Sequence, residues 1–527
     1  MLTSQTITLS LSPQTASSNQ GILEALRNKI NIEDTKSLFY RIKKRSIDAR
    51  RKPIKINLEL LISENKEDID IQHRHINYEK LSENAPQVVI VGSGPAGLFA
   101  ALRAIELGIK PIIVERGKDV DERRKDIAKI SRENKIDKNS NFCFGEGGAG
   151  TFSDGKLFTR SKKRGNNRQI LDILYQFGAD EDILINSHPH IGSDRLPQII
   201  KNIRKKIIEC GGEVRFNTKM KDLIIENKKV LGIITDKDER ILGPVFLAIG
   251  HSSRDTYRSL LKSGVKMEPK GLAIGVRLEH PQHLIDQIQY HSEEGRGKWL
   301  PAAEYSFVTQ SDFRGVYTFC MCPGGVIVPA ISDEKQIVVN GMSSSARSSK
   351  WANSGFVVEI HPGDIQGYEN YGETEMLVLQ EDLEKRFSEE SHGDLNAPAQ
   401  RIEDFINGRL STDLPSTSYA PGIHSADLNK LFPLEIRQRL KGGLKEIRRK
   451  CPAFVSNDGI MIGLESRTSS PFRIPRDADN FQHVEIVDLY PMGEGAGYAG
   501  GIVSSAIDGI RCMDSYFNKL MTDGNHT

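Results

Sequence analysis

The chain has 527 residues, and its 72 Lys and Arg against 70 Asp and Glu leave a formal charge of +2, too small a field to select nucleic acid or a membrane surface. With 38% hydrophobic and 27% charged residues it reads as a globular chain of about two to four domains. No run approaches the ~18 apolar residues of a membrane-spanning helix, and MLTSQTITLSLSPQTASS has neither the basic start nor the apolar core of a secretion signal. The six cysteines are thinly spread, without Cys-x-x-Cys or zinc spacing, which points to a reducing, cytoplasmic setting with neither a disulfide framework nor a metal site.

In chain order, ITLSLS alternates like a strand, GILEALRNKI has helical apolar spacing, and SIDARR and IKINLELLI read as further strands, so a small α/β module precedes a linker at ENAPQ. RIKKRSIDARRK, residues 41–52, is a basic run that reads as a solvated helix end and turn. The competing reading is a docking face for an acidic partner or RNA.

VVIVGSGPAGLFAALRAIELGIKPIIVER then gives a buried strand, Gly92-x-Gly94-x-x-Gly97, a helix and a second strand ending in Glu115, 23 residues after Gly92. Gly92 suits the tight turn, Gly94 a close approach to a pyrophosphate, and Gly97 helix–strand packing, while the helix N-terminus offers free N–H groups to phosphate. An acid at that distance can bind both ribose hydroxyls of an adenosine. GEGGAG, residues 145–150, fits the same expression but follows no buried strand, so it is not a second nucleotide turn.

A helix over residues 196–210 closes at Gly211–Gly212, short strands follow, and VFLAIG is a buried strand ending in glycine. Mixed strands and helices without nucleotide signature fill 270–457. FCMCPGG holds Cys320 and Cys322, which read as structural thiols beside a turn, with a redox dithiol or half a metal site as the other readings. Cys143, just before GEGGAG, is the better placed thiol of the chain, and His251 reads as a surface or capping histidine.

Near the C-terminus GAGYAG, residues 495–500, does follow a strand, but only 27 residues remain, too few for a second complete unit. It therefore serves the same nucleotide from another side or is structural. At this point the sequence resembles the glutathione-reductase-type FAD proteins, whose last strand–turn–helix returns to the flavin. More specifically, VGSGPAGLFAA, GEGGAGTFSDGKL, CMCPGG, GLESRTSSPFRIPRD and GEGAGYAGGIVSSAIDG resemble the bacterial FAD-dependent dehydrogenases, or NAD(P)/FAD-dependent oxidoreductases, across most of the chain.

The resemblance implies an α/β fold. A Rossmann-like FAD/NAD(P)-binding domain of glutathione-reductase type (86–269 and 458–527) is interrupted by an α+β cap domain (270–457) and follows a small N-terminal α/β, ferredoxin-like domain (1–85). It implies FAD contacts at Gly92, Ser93, Gly94, Pro95, Ala96, Gly97, Glu115 and Arg116. Further contacts are expected at Gly147, Gly148 and Thr151 of the loop crossing the flavin, at Met220, Ala248 and Gly250, and at Gly493, Glu494, Gly500, Gly501 and Ile502 of the closing turn. Lys156, Arg467 and Ser469 are the candidates for an anionic small-molecule substrate; Arg467 can equally pair with Glu465 across a sheet. No catalytic acid or base stands out. With one complete dinucleotide unit, any NAD(P)H binds transiently in the cap cleft or not at all. The expected activity is hydride transfer through the flavin. The alternatives are an RNA- or protein-modifying flavoprotein docking through its basic N-terminal module, and a non-catalytic redox sensor.

Overall fold

Val88, Val89, Ile90 and Val91 are all buried, and their strand, Gln87–Val91, is the middle one of five. Parallel sheets covered on both faces are built from such continuous apolar runs. In the computed structural model, which describes residues 4–31, 37–158 and 165–524, the order is Leu489–Pro491, Val245–Leu247, Gln87–Val91, Lys110–Val114, Glu213–Arg215, parallel throughout. Val91, Val114, Leu247 and Pro491 are in register at the carboxyl edge. The residues that follow them, Gly92, Glu115, Ala248 and Met492, therefore open on one side, where open α/β sheets bind ligands.

The helix Pro95–Glu106 is apolar on almost every face and packs against the C-terminal helix Ile502–Gly524. The approach is close: a Cβ at Gly509 would stand 2.2 Å from the Ala96 carbonyl oxygen, and one at Gly493 2.8 Å from Ala96 Cβ. The two glycine turns read from sequence thus lie side by side, although 400 residues of chain separate them.

Within that intervening chain, Leu272 to Glu465 supply a seven-stranded sheet in the order Val308–Ser311, Arg314–Cys322, Trp351–Ile360, Leu272–Pro281, Ile460–Glu465, Ala397–Arg401, Ile423–Ser425. It is antiparallel except for its last pair. The sheet takes in Ile460–Glu465, past Asn457. The strand Leu272–Pro281 is buried along nearly its whole length, polar residues included. These are paired: Arg277 with Glu465 at 3.0 Å, and Glu279 with the hydroxyls of Thr417 and Ser418.

The N-terminal module is an antiparallel sheet ordered Gln5–Leu11, Lys55–Ser63, Phe39–Asp48, on which Ile22 and Leu26 of the helix Asn19–Ile30 are buried. Here the structure corrects a sequence expectation. Most of the basic run 41–52 is strand rather than a helix end, because it pairs with Lys55–Ser63 over seven of its positions. Its solvated character is also only partial. Arg41 pairs with Glu181 and Arg45 with Asp182 (2.9 Å) and Asn186 (2.8 Å), so two of its cations clamp the module to the parallel-sheet region.

Candidate functional site

A cavity of about 600 Å³ opens at the carboxyl edge of the parallel sheet, within the size range of cofactor and ligand sites. Gly92, Gly94, Pro95, Ala96, Glu115 and Gly250 line it from the sheet side, Thr318–Cys322 from the antiparallel sheet, and Asn340 from the two-stranded ribbon Val326–Pro329 with Val339–Met342.

At one end, Gly92 takes φ +106, a conformation that glycine adopts without strain, and Gly97 lies so close beneath that a Cβ would be 2.0 Å from the Gly92 carbonyl oxygen. Gly94 is the helix N-cap and differs from both. Its φ is −73, no side chain caps the helix, and a Cβ there would meet nothing nearer than Gly148 Cα at 3.8 Å. The helix N-terminus, with its positive dipole end, thus faces free space. Glu115 Oε2 accepts from Ser93 N (3.0 Å) and Ser93 Oγ (2.8 Å), and Oε1 accepts from Gly117 N (2.9 Å) and Gly145 N (3.1 Å). The carboxylate ties the first turn to the glycine loop.

That loop, residues 145–150, is shaped from below by Arg123, which is 0% exposed. Its guanidinium donates to the carbonyls of Asn141 (2.8 Å), Glu146 (2.8 Å) and Gly148 (2.9 Å). Burial lowers its pKa to about 10, so it stays charged at neutral pH. Sequence reasoning missed Arg123. The signal was there: Val120, Arg123, Ile127 and Ile130 recur at helical spacing, which puts Arg123 on the apolar face.

The N-terminus of the helix Ile502–Gly524 also stands on the cavity wall. The positions a Cβ would take at Gly500 and Gly501 have nothing within 4 Å. Beside them Glu494 lines the cavity, and its carboxylate has no hydrogen-bond or ion-pair partner among the described residues. Burial pushes its pKa up to about 7, against the opposing charge of Lys270.

Of the remaining residues expected from sequence, Pro95, Ala96, Arg116, Gly148, Met220, Ala248, Gly250 and Ile502 line the cavity, whereas Ser93, Gly97, Gly147, Thr151 and Gly493 stand behind its wall. The latter brace it: Gly147 N donates to Ser93 O (2.9 Å), Thr151 Oγ1 to Glu146 O (3.1 Å) and Gly493 N to Asp508 (2.7 Å).

The three substrate candidates separate. Lys156 lines the cavity and donates to the Met321 carbonyl. Ser469 is not on the wall; its hydroxyl accepts from Lys270 (3.2 Å). Arg467 is on the wall, but its donors go to Glu384 (2.9 and 3.1 Å), Ser332 (2.8 Å), Gln336 (2.6 Å) and Cys143 Sγ (3.4 Å). Glu465, its imagined partner, bonds Arg277 instead. Cys320 is exposed to the cavity at φ +43 beside a register shift in its strand, and burial of the surroundings pushes its thiol up to about 12. No group of three His, Cys, Asp or Glu among the described residues is placed to hold a metal ion, and no described helix is long and apolar enough to cross a membrane.

Comparison with known proteins bears on this geometry. Residues 87–121 match the FAD binding domain model, residues 271–468 the model described as FAD-dependent protein, C-terminal domain-like, and residues 3–63 a domain of unknown function. An uncharacterized protein of Clostridium beijerinckii is 40% identical over 495 residues, covering 90% of this chain and 92% of its own. Among solved structures, a geranylgeranyl bacteriochlorophyll reductase-like protein of Thermoplasma acidophilum is 13% identical, covers 84% of this chain and 80% of its own, and has a TM-score of 0.33. Glycine oxidase of Bacillus cereus is 14% identical, covers 82% and 95%, and has a TM-score of 0.32. The chain belongs to the family of FAD-dependent proteins that includes the Clostridium beijerinckii relative.

Proposed function

We propose that the protein is an FAD-dependent oxidoreductase that binds FAD extended along the cleft and transfers hydride to or from a small-molecule substrate. The adenosine diphosphate end lies on the turn from Gly92 to Ala96 and on Glu115, and the flavin lies between the 145–150 loop and the helix that starts at Ile502. One observation carries this reading most. An unpartnered carboxylate, Glu494, and a helix N-terminus with open space in front of Gly500 and Gly501 share a cavity with the nucleotide turn, and both suit the hydroxyl and anionic groups of the cofactor's other half. Binding of a ribose at Glu115 requires the Ser93 hydroxyl to turn away, since the carboxylate's four acceptor sites are taken. The flavin supplies the redox chemistry when bound; the chain orients it and sets its electrostatics.

The finer architecture belongs to the same proposal. In this reading a two-part FAD domain is interrupted by an α+β cap, and the N-terminal module, with its strand order Gln5–Leu11, Lys55–Ser63, Phe39–Asp48, corresponds to the leading βαββ of a ferredoxin-like βαββαβ fold. NAD(P)H enters as a transient co-substrate in the cap cleft, and the setting is cytoplasmic. The docking alternative is weakened by the use of Arg41 and Arg45 inside the molecule. Anaerobic mixing with NADH, NADPH and a panel of oxidisable small molecules tests the reading. Bleaching of the bound flavin by at least one donor is expected, and a flavin that no donor bleaches would leave a sensor instead.

Glu494 gives a prediction with two signs. Its folded pKa lies above the usual carboxylate value of about 4.3, so in the FAD-free protein its contribution to stability is present below that pH and lost as pH rises to about 7. Glu494→Gln should therefore stabilise the FAD-free protein at pH 8 by about 1–3 kcal/mol, discounted for its access to water in the cleft. The same change should weaken FAD about tenfold, the loss of a charge-assisted bond. Thermal melts with and without FAD read both effects.

A further inference from the structure

One titratable side chain on the cleft wall has no place in the proposed function. His251 directly follows Gly250. Its Nδ1 is 2.8 Å from Ser252 Oγ, while its Nε2 has no hydrogen-bond partner among the described residues. The ring stands between the cleft and a side chamber of about 40 Å³, which Cys143, Ser153, Asn340 and Arg467 also line. That is room for a water with several polar partners. The charged groups facing the ring are Arg467, Arg254 and Glu384, and Glu384 bonds both arginines. Burial, then the two guanidiniums, lower the imidazole pKa to about 4, so it is neutral at physiological pH. A neutral ring with one nitrogen fixed and the other without a partner, on a residue that lines both cleft and chamber, is placed to accept a proton when a negative charge arrives.

We propose that His251 is the proton-exchanging residue of the cleft: Nε2 takes up a proton from the side chamber when the bound flavin is reduced and returns it on reoxidation. The inference rests on the FAD reading above. In the balance, a two-electron donor delivers hydride to the flavin, adding two electrons and one proton. The negative charge left on the ring system is shared between the Ile502 helix terminus and the imidazolium that forms when the second proton arrives from solvent. Two electrons thus bring two protons. Reoxidation sends the hydride to an acceptor and the second proton back through the chamber.

The test uses FAD-loaded protein and needs no substrate. The midpoint potential is measured from pH 5 to pH 8 in the wild type and in His251→Gln. The wild type should fall by about 59 mV per pH unit at the acid end, two protons for two electrons, and flatten to about 30 mV above the pH where the reduced-state imidazole titrates. His251→Gln should fall less steeply than the wild type at the acid end, keeping about 30 mV plus only the share that Glu494, titrating near pH 7 in the same cleft, contributes to both proteins, with FAD affinity within about threefold of wild type. Identical slopes in the two proteins would overturn the inference while leaving FAD binding intact; failure to take up FAD at all would overturn the functional reading instead. A second readout needs no variant. In protein with ¹³C-labelled histidine at pH 6, the His251 ring signal should move from the neutral to the protonated position on reduction by dithionite, and a ring that stays neutral contradicts the proposal.

Discussion

Gly94→Val is expected to leave the protein folded and to weaken FAD binding by at least about 100-fold, about 2.7 kcal/mol, whereas Gly97→Ala is expected to lose fold and cofactor together. The two positions sit three residues apart in one motif, yet the structure separates their roles. Gly94 has ordinary helical-entry φ, and a Cβ would point into open space with its nearest neighbour at 3.8 Å. A branched side chain there costs the protein little, but it fills the volume in front of the helix N-terminus that a diphosphate would occupy. At Gly97 the first added carbon falls 2.0 Å from a backbone oxygen, which cannot move aside without dislodging the strand Gln87–Val91. Overpacking of that kind costs about 1–3 kcal/mol or more. Circular dichroism and thermal melts report the fold, and FAD titration reports the site. Equal loss of both in both variants would contradict the assignment of Gly94 to the cofactor.

Glu384→Ala should destabilise the chain by about 3–5 kcal/mol, the cost of leaving buried charges unpaired. The Glu384 side chain is 0% exposed and accepts from Arg254 Nη1 and Nη2 (2.8 and 2.6 Å), from Arg467 Nε and Nη2 (3.1 and 2.9 Å) and from Ser466 Oγ (2.7 Å). Burial alone would raise its pKa, but the two guanidiniums outweigh burial and hold it at about 2. Because the folded value lies below the usual 4.3 or so, the pair's stabilisation is present above that pH and lost as pH falls toward about 2. Urea melts at pH 7 and pH 3 should show the wild type losing stability with acid more steeply than Glu384→Ala. Parallel pH dependences would remove Glu384 from that role.

How far the sequence reveals all this depends on the range of the interactions. The first turn is legible because its requirements are local: a buried strand, a positive-φ glycine at Gly92, a glycine under the helix at Gly97, and an acid one strand later at Glu115. The closing helix is legible for the same reason, and its return to the first turn follows from the family resemblance. What stays hidden is which distant element completes a side chain's shell. Arg467 reads as either an anion binder or a partner of Glu465; its actual partner Glu384 lies 83 residues back, on the helix Glu375–Glu390. Glu465, two residues away, fails as a partner because Arg277, on the neighbouring strand, already holds it. His251 looks like a surface histidine until Arg254, Arg467 and Glu384 are packed around it. The basic run at 41–52 misleads differently: long charged side chains on an edge strand have no clean alternation, and its strand pairing is set by the hairpin with Lys55–Ser63.

The central claim is that one extended FAD joins the Gly92–Ala96 turn to the Gly500–Ile502 helix start within a single cleft. Calorimetric titration of deflavinated protein with FAD, FMN and ADP tests it most directly. The account predicts one FAD per chain, with FMN and ADP each binding far more weakly and ADP competing with FAD. Absence of FAD binding, or FMN binding as tightly as FAD, would contradict it.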